Sequence, residues 1–299
     1  MLYDIIIIGG GCAGLTAAIY AARAGKQVLV FESDAVGGQI STSPKVENFP
    51  SIKQISGAEF SDNLLAQATS FGAKLIAEKV TEIKDGGTKT VITSGGEYEC
   101  KRLIIATGVK HRKLGINKEE DYEGRGVSYC AVCDGMFFRD ANVAVIGGGD
   151  SAVITSLYLS NICKKVYHIH RRDEFRAESY RVNELKTKSN VELVLSSNIS
   201  AFEGDDFLQA LVVENVNTKE QRRIEVDGLF ISIGYSPDSE IFKNVIALDN
   251  EGYIIAGEDC KTSADGIYAA GDCRAKSLRQ LTTAAADGSV AAVSASADI

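Results

Sequence analysis

Two cysteines two residues apart, Cys130-Ala131-Val132-Cys133, stand near the middle of the chain, and Asp134 follows at once. That spacing holds two sulfurs close enough to close a small disulfide ring and to pass the bond to another sulfur by thiol–disulfide exchange. The carboxyl group beside them is within reach of a sulfur that must gain or lose a proton. A zinc half-site and an inert pair share the spacing. A structural zinc site, however, takes four ligands. The chain has no second Cys-x-x-Cys, and its three histidines, His111, His168 and His170, are not spaced as a zinc-binding pair. Redox chemistry is therefore the expected use, and no metal site is expected.

Glycine-rich stretches flank the pair. The β-branched run Tyr3 to Ile8 predicts a strand buried on both faces. It leads into Gly9-Gly10-Gly11-Cys12-Ala13-Gly14, then an alanine-rich helix to about Ala24, then a strand ending at Glu32. In such a unit Gly9, Gly11 and Gly14 let the backbone turn and approach a pyrophosphate lodged at the helix N-terminus. A carboxylate at Glu32 would accept from both ribose hydroxyls and repel a 2′-phosphate. The first site is therefore expected to hold FAD or NAD and to refuse NADP. Further on, Gly37-Gly38-Gln39 can admit a flat ring, or can be an ordinary loop.

The pattern returns after the cysteines. Asn142 to Ile146 predicts a second buried strand, followed by Gly147-Gly148-Gly149-Asp150-Ser151-Ala152, a helix to about Ile162 and a strand from Val166 to His170. A displacement of 138 residues lays Gly9 on Gly147 and Glu32 on His170. The acid is gone, and His170-Arg171-Arg172 with Arg176 stand in its place. Guanidinium groups grip phosphate oxygens bidentately, so this second site is expected to prefer NADPH to NADH.

The remaining pattern is supporting structure. Residues 58–72 predict an amphipathic helix, residues 75–105 and 191–232 predict antiparallel strands, and Gly266 to Ala270 predicts a short strand before Gly271-Asp272. An alanine-rich helix is expected from about Arg279 to Ala297, and Asp272 is placed to bond a polyol hydroxyl. With 299 residues the chain can build one large core or two smaller ones. A net charge of −8, from 32 basic and 40 acidic residues, argues against nucleic acid or an anionic membrane as partner. No stretch approaches the roughly 20 apolar residues that span a bilayer. Seven scattered cysteines are no secreted disulfide framework, and a reducing cytoplasmic setting is expected.

Taken in order, these motifs, together with Ala106-Thr107-Gly108, Gly271-Asp272 and Arg279-Gln280, resemble the low-molecular-weight thioredoxin reductases over essentially the whole chain. The resemblance implies an α/β fold of two Rossmann-like dinucleotide-binding domains with added antiparallel strands. The NADPH domain, residues 113–241 with the Cys-x-x-Cys, would be inserted into an FAD domain made of residues 1–112 and 242–299. It implies a homodimer and thioredoxin, or a similar protein disulfide, as partner. It implies that Gly37, Gly38, Gln39, Asn48, Asp272, Arg279 and Gln280 line the flavin. Cys130 would attack thioredoxin, Cys133 would lie next to the flavin, and Asp134 would give and take the proton. Gly147, Gly149, Asp150, Ser151, Ala152, His170, Arg171, Arg172 and Arg176 would hold NADPH.

Three positions depart from the family pattern. Ile154-Thr155 stand where an acidic pair is common near the nicotinamide, Ser51 replaces a usual glycine, and Cys12 sits where proline is frequent. Both the cysteines and the second loop belong to the inserted segment and must serve one flavin, so a rotation of that segment is expected, with hinges near 109–115 and 240–246. A runner-up keeps the scaffold and changes the exchange partners: a ferredoxin-fed reductase or a flavin dithiol oxidase.

Overall fold

The β-branched runs read from the sequence become the central strands of two parallel sheets, one in each of two units. The computed structural model describes residues 1–43 and 45–299. One unit is Met1–Lys110 with Ser236–Ile299, and the other is His111–Tyr235. These crossings fall at 110/111 and 235/236, where Val109–His111 pairs with Tyr235–Pro237 as a two-stranded ladder.

In the first unit the sheet runs, strand by strand, Lys74–Ala77, Val28–Glu32, Leu2–Ile8, Gly96–Ile105, Lys89–Thr93 and Val80–Lys84. The Gly96–Ile105 strand is antiparallel to Lys89–Thr93 at its start and parallel to Leu2–Ile8 from Glu99 onward, and its end also pairs with Ile267–Ala269. Ile5 and Ile7 turn to one face, against Leu15 and Ile19 of the helix Cys12–Arg23. Ile6 and Ile8 turn to the other, against Phe31, Leu103 and Phe242. Each such buried side chain contributes about 1.5–3 kcal/mol. Small residues then bring the last helix, Leu281–Ala297, close to Cys12–Arg23: a Cβ on Gly288 would lie 2.2 Å from the Ala13 carbonyl oxygen.

In the second unit the parallel sheet runs Val191–Val194, Lys165–Ile169, Asn142–Ile146, Gly228–Ile231 and Val127–Ser128. A separate antiparallel sheet is made of Ser197–Gly204, Leu208–Asn215 and Gln221–Glu225. Helices Asp150–Ser160 and Ser179–Thr187 complete it. In both units ligands of this architecture sit at the carboxyl ends of the parallel strands, where the glycine loops emerge.

The antiparallel reading of 75–105 and 191–232 needs correction at its margins. Lys74–Ala77, Val191–Val194 and Gly228–Ile231 all join the parallel sheets. Their short apolar runs carry no mark of strand direction. The helix Ser179–Thr187 was not foreseen, because only Val182 and Leu185 of it are buried. Ser51 keeps the left-handed backbone that a glycine would favour, at φ 73°.

Candidate active site

Cys130 and Cys133 are joined as a disulfide, with Cα atoms 5.3 Å apart. The Val127–Ser128 strand delivers the chain to them, and the single helical turn Ala131–Asp134 follows. The sulfur of Cys130 accepts from the Cys133 N–H at 3.2 Å, and the Asp134 N–H donates to the Cys130 carbonyl at 3.0 Å. Tyr129, just before the pair, is fixed from two sides. Its hydroxyl donates to Glu119 at 3.0 Å, and its ring stacks on His111. Glu119 is itself buried and accepts from the N–H groups of Leu114 and Gly115.

Asp134 is half-buried, and burial raises its carboxyl above the usual carboxylate range. A raised carboxyl is what a residue needs to give and take protons near neutral pH. Ser128, which no motif singled out, donates its hydroxyl to Asp134 Oδ2 at 2.6 Å and partly offsets that rise. Around the pair lie three apolar side chains open to solvent: Val132 at 53 %, Met136 at 45 % and Phe137 at 45 % exposure. The five other cysteines are buried and unpaired. Burial pushes Cys12 and Cys100 up to about 12, and Cys163, Cys260 and Cys273 to about 11. Since the thiolate is the reactive form, Cys130 and Cys133 are left as the pair equipped for exchange.

The first glycine loop closes on Glu32. Its Oε2 accepts from the Gly10 N–H at 2.7 Å, and its Oε1 accepts from the N–H groups of Ser33 and Asp34. Gly9 has φ 108°, and a Cβ there would lie 2.3 Å from the Ala106 carbonyl oxygen. Gly37 joins the loop through an N–H to the Gly10 carbonyl at 2.8 Å, Gly38 follows it, and the Gln39 amide donates to the Val109 carbonyl. The Asn48 amide donates to Gln280 at 3.2 Å, and Arg279 donates to the Asp272 carbonyl at 3.1 Å with its guanidinium over Tyr253. So Gly37, Gly38 and Gln39 gather beside the loop, and Asn48, Asp272, Arg279 and Gln280 form a second connected set in the same unit.

Sequence reasoning missed the group that fastens this second set. Asp287, 7 % exposed in the last helix, takes the Gly271 N–H at 3.0 Å, Arg274 through two nitrogens at 3.0 and 3.2 Å, and Lys276 at 2.7 Å. An acid inside an alanine-rich helix was the available signal. Two buried polar atoms of this unit, Asp272 Oδ1 and Thr107 Oγ1, have no partner among the described residues. Such atoms are costly unless satisfied. They suit the hydroxyls and ring edges of a flavin dinucleotide, as the glycine cradle suits its pyrophosphate, so the residues present fit FAD.

The second loop repeats the backbone with other side chains. Gly147 has φ 153°, and Gly149 caps the helix Asp150–Ser160. Asp150 accepts from the Glu178 N–H and from Arg181, both at 3.1 Å. Ser151 is exposed, and Ala152 is fully buried beneath Gly147. His170 is buried, its Nε2 donates to the Glu174 carbonyl at 3.2 Å, and its ring stacks on Phe175. His168, fully buried, bridges the Gly147 carbonyl at 3.0 Å and the Ser156 hydroxyl at 2.7 Å. The Arg176 N–H donates to the Gly148 carbonyl at 2.8 Å, which brings that residue to the loop. The side chains of Arg171, Arg172 and Arg176 are exposed and enter no ion pair among the described residues, not even with Asp173 or Glu174. Three uncommitted guanidiniums beside a dinucleotide loop fit the extra phosphate of NADPH. Ile154 is 46 % exposed, and Thr155 meets Ser232 at 3.4 Å.

Among the described residues no helix is long and apolar enough to cross a membrane. A family model for pyridine nucleotide-disulphide oxidoreductases matches residues 3–288. A thioredoxin reductase of Listeria monocytogenes is 43 % identical over 97 % of this chain and 92 % of that protein. The crystal structure of thioredoxin reductase from Streptococcus pyogenes, 41 % identical, covers 98 % of this chain and 97 % of its own with a TM-score of 0.93. Thioredoxin reductase from Giardia duodenalis, 36 % identical over 98 % of this chain and 97 % of its own, gives 0.92. With its paired cysteines, flavin-fitting first unit and arginine-edged second loop, the chain belongs to the pyridine nucleotide-disulphide oxidoreductase family, as an oxidoreductase of the thioredoxin reductase kind that works with FAD and NADPH.

Proposed function

We propose that this enzyme reduces the disulfide of thioredoxin, or of a protein built like it, at the expense of NADPH. The observation that carries the reading is the Cys130–Cys133 disulfide held beside a half-buried Asp134, in the unit that also bears the uncommitted arginines. FAD, when bound, supplies the exchange between a hydride and the electron pair that a disulfide accepts. Gly9, Gly11, Gly14, Glu32, Gly37, Gly38, Gln39, Asn48, Asp272, Arg279 and Gln280 would hold it. Gly147, Gly149, Asp150, Ser151, Ala152 and His170 shape the second loop, and Arg171, Arg172 and Arg176 take the 2′-phosphate of NADPH.

Once the pair is reduced, the Cys130 thiolate attacks one sulfur of the substrate disulfide. That S–S bond breaks as the mixed disulfide forms. Cys133 then attacks the sulfur of Cys130, the ring closes again, and the substrate leaves as a dithiol. Asp134 takes a proton from the thiol that becomes the nucleophile and returns one to the leaving thiolate. The two-residue spacing makes the second attack intramolecular and therefore fast. Exposed Val132, Met136 and Phe137 offer a protein substrate an apolar rim. From the order of the motifs we infer that the inserted unit turns between the two half-reactions. A homodimer in the cytosol, without nucleic acid or membrane, completes the reading.

Anaerobic stopped-flow bleaching of the flavin tests it. NADPH should bleach the parent and Cys130→Ser fast and NADH slowly, while Cys130→Ser fails to reduce thioredoxin. Bleaching by neither nicotinamide would sink the NADPH reading and leave a donor such as ferredoxin.

A further inference from the structure

We propose that Ser128 is a positioning residue of the disulfide exchange: it occupies Oδ2 of Asp134 and thereby reserves Oδ1 for the exchanged proton. This rests on the reading of Asp134 as the proton carrier.

The argument is one of counting protons and lone pairs. Ser128 is 6 % exposed and is fixed by its pairing with Phe230 in the parallel sheet. Its hydroxyl has one proton to give and two lone pairs. The Cys130 N–H donates to that oxygen at 3.1 Å. The hydroxyl proton points to Asp134 Oδ2, 2.6 Å away, a length typical of a bond to an ionised carboxylate. Were the exchanged proton to land on Oδ2, that oxygen would become a carboxylic hydroxyl, a poorer acceptor than a carbonyl oxygen, and Ser128 would keep a weakened bond or turn from donor to acceptor. Its own proton would then be poorly met, or have no acceptor among the described residues, at a site nearly closed to water. Leaving a buried donor unmet is unfavourable, so the proton goes to Oδ1 and the Ser128 bond survives both charge states.

One hydroxyl thus connects the backbone of the cysteine that opens the pair to the orientation of the acid that serves it. It also holds the ionised form of Asp134 against the effect of burial. No charged side chain does that instead. Asp134 has no ion pair among the described residues. On the helix packed against this turn, Asp150 is committed to Arg181, and Tyr158 lies against Gly135. Tyr129 is bound to Glu119, and Arg139 donates to the Met136 sulfur.

The test compares the parent with Ser128→Ala, Ser128→Thr and Asp134→Asn. Two readouts are taken: the pH profile of thioredoxin reduction by the pre-reduced enzyme, and an infrared titration of the Asp134 carboxyl, taken as parent minus Asp134→Asn. Loss of a hydrogen bond to a charged group should move both midpoints up by about one to two pH units in Ser128→Ala. Ser128→Thr, which keeps the hydroxyl, should stay with the parent. Parent-like midpoints in Ser128→Ala, with Asp134→Asn impaired, would overturn the role of Ser128 alone. An Asp134→Asn enzyme with the parental profile would overturn the proton carrier, and this proposal with it. Should Ser128→Ala not fold, the parent decides: protonated Asp134 must show the C=O stretch of a hydrogen-bonded carbonyl, and a free-carbonyl frequency would refute the proposal.

Discussion

The two glycine loops share a backbone and differ in what closes them. In each, the first glycine has positive φ and the third caps a helix in extended geometry. In each, the residue at the end of the second strand (Glu32 in one, His170 just after Ile169 in the other) lies against the middle glycine. A Cβ on Gly10 would come within 3.1 Å of Glu32, and one on Gly148 within 1.9 Å of the His170 ring. Glu32 gathers three backbone N–H groups, whereas His170 gives one N–H to a carbonyl and stacks on Phe175. The strand-end residue is thus a fastener of the loop in both units. In the first it is also a carboxylate, for which we propose the ribose hydroxyls as partners. In the second, on the function proposed above, discrimination would pass to Arg171, Arg172 and Arg176 beyond it.

The largest test of that comparison is at the sixth loop position, Gly14 in one unit and Ala152 in the other. A Cβ on Gly14 would fall 1.8 Å from the Gly9 carbonyl oxygen, and backbone cannot yield there. Gly14→Ala should cost about 3 kcal/mol or more and leave the purified protein poor in flavin, as thermal unfolding and the visible spectrum would show. Ala152→Gly should cost only about 1 kcal/mol, the helix propensity difference. Equal effects would mean the loops are not two spacings of one design.

Next in size is the phosphate reading. Arg171→Ala with Arg172→Ala should raise KM for NADPH on the order of a hundredfold, from lost charge-assisted bonds, and hardly alter NADH. Equal losses would return discrimination to the strand end.

The smallest effect is a difference in acid sensitivity. His168 has Val30 as its counterpart in the first unit. Burial lowers it to about 4. A histidine held neutral when folded takes a proton near pH 6.5 when unfolded, so its contribution to stability is lost as pH falls from about 6.5 towards 4. That amounts to at most about 3 kcal/mol. Urea unfolding at several pH values should show a shallower slope over that window in the double variant Ser156→Ala, His168→Leu. An unchanged slope would assign the acid sensitivity elsewhere, with His111, also lowered to about 4 by burial, the first candidate.

What could be read from the sequence was what is written locally. Tyr3 to Ile8 and Asn142 to Ile146 announce buried strands because β-branched runs bounded by glycine have few other uses. The cysteine spacing, the loops and the arginine cluster are also local. What escaped is set by partners far apart in sequence. Asp287 reaches back from the last helix to Gly271 and Arg274, and no spacing rule ties an acid there to that loop. Ser128 is an ordinary serine until the sheet aims it at Asp134. Of the departures, Cys12 is explained by its place: it begins the first helix, buried, with its sulfur 3.5 Å from the Leu281 carbonyl. Ser51 holds a left-handed backbone that no side-chain contact in the structure explains.

The short ladder of Val109–His111 with Tyr235–Pro237 has a consequence for how the chain acquires its shape. Residues 111–235 are contiguous and emerge from the ribosome together, whereas Ile267–Ala269 must find Leu103–Ile105 across all of them. Domains made of one continuous stretch fold as units during synthesis. Once the inserted unit has folded, its two ends lie side by side, and the long loop shrinks to the residues 106–110 and 236–266. By the logarithmic cost of loop closure, that removes about 1 kcal/mol of chain entropy from the final pairing. The insertion that carries the chemistry thereby serves as the clip on which the outer unit assembles.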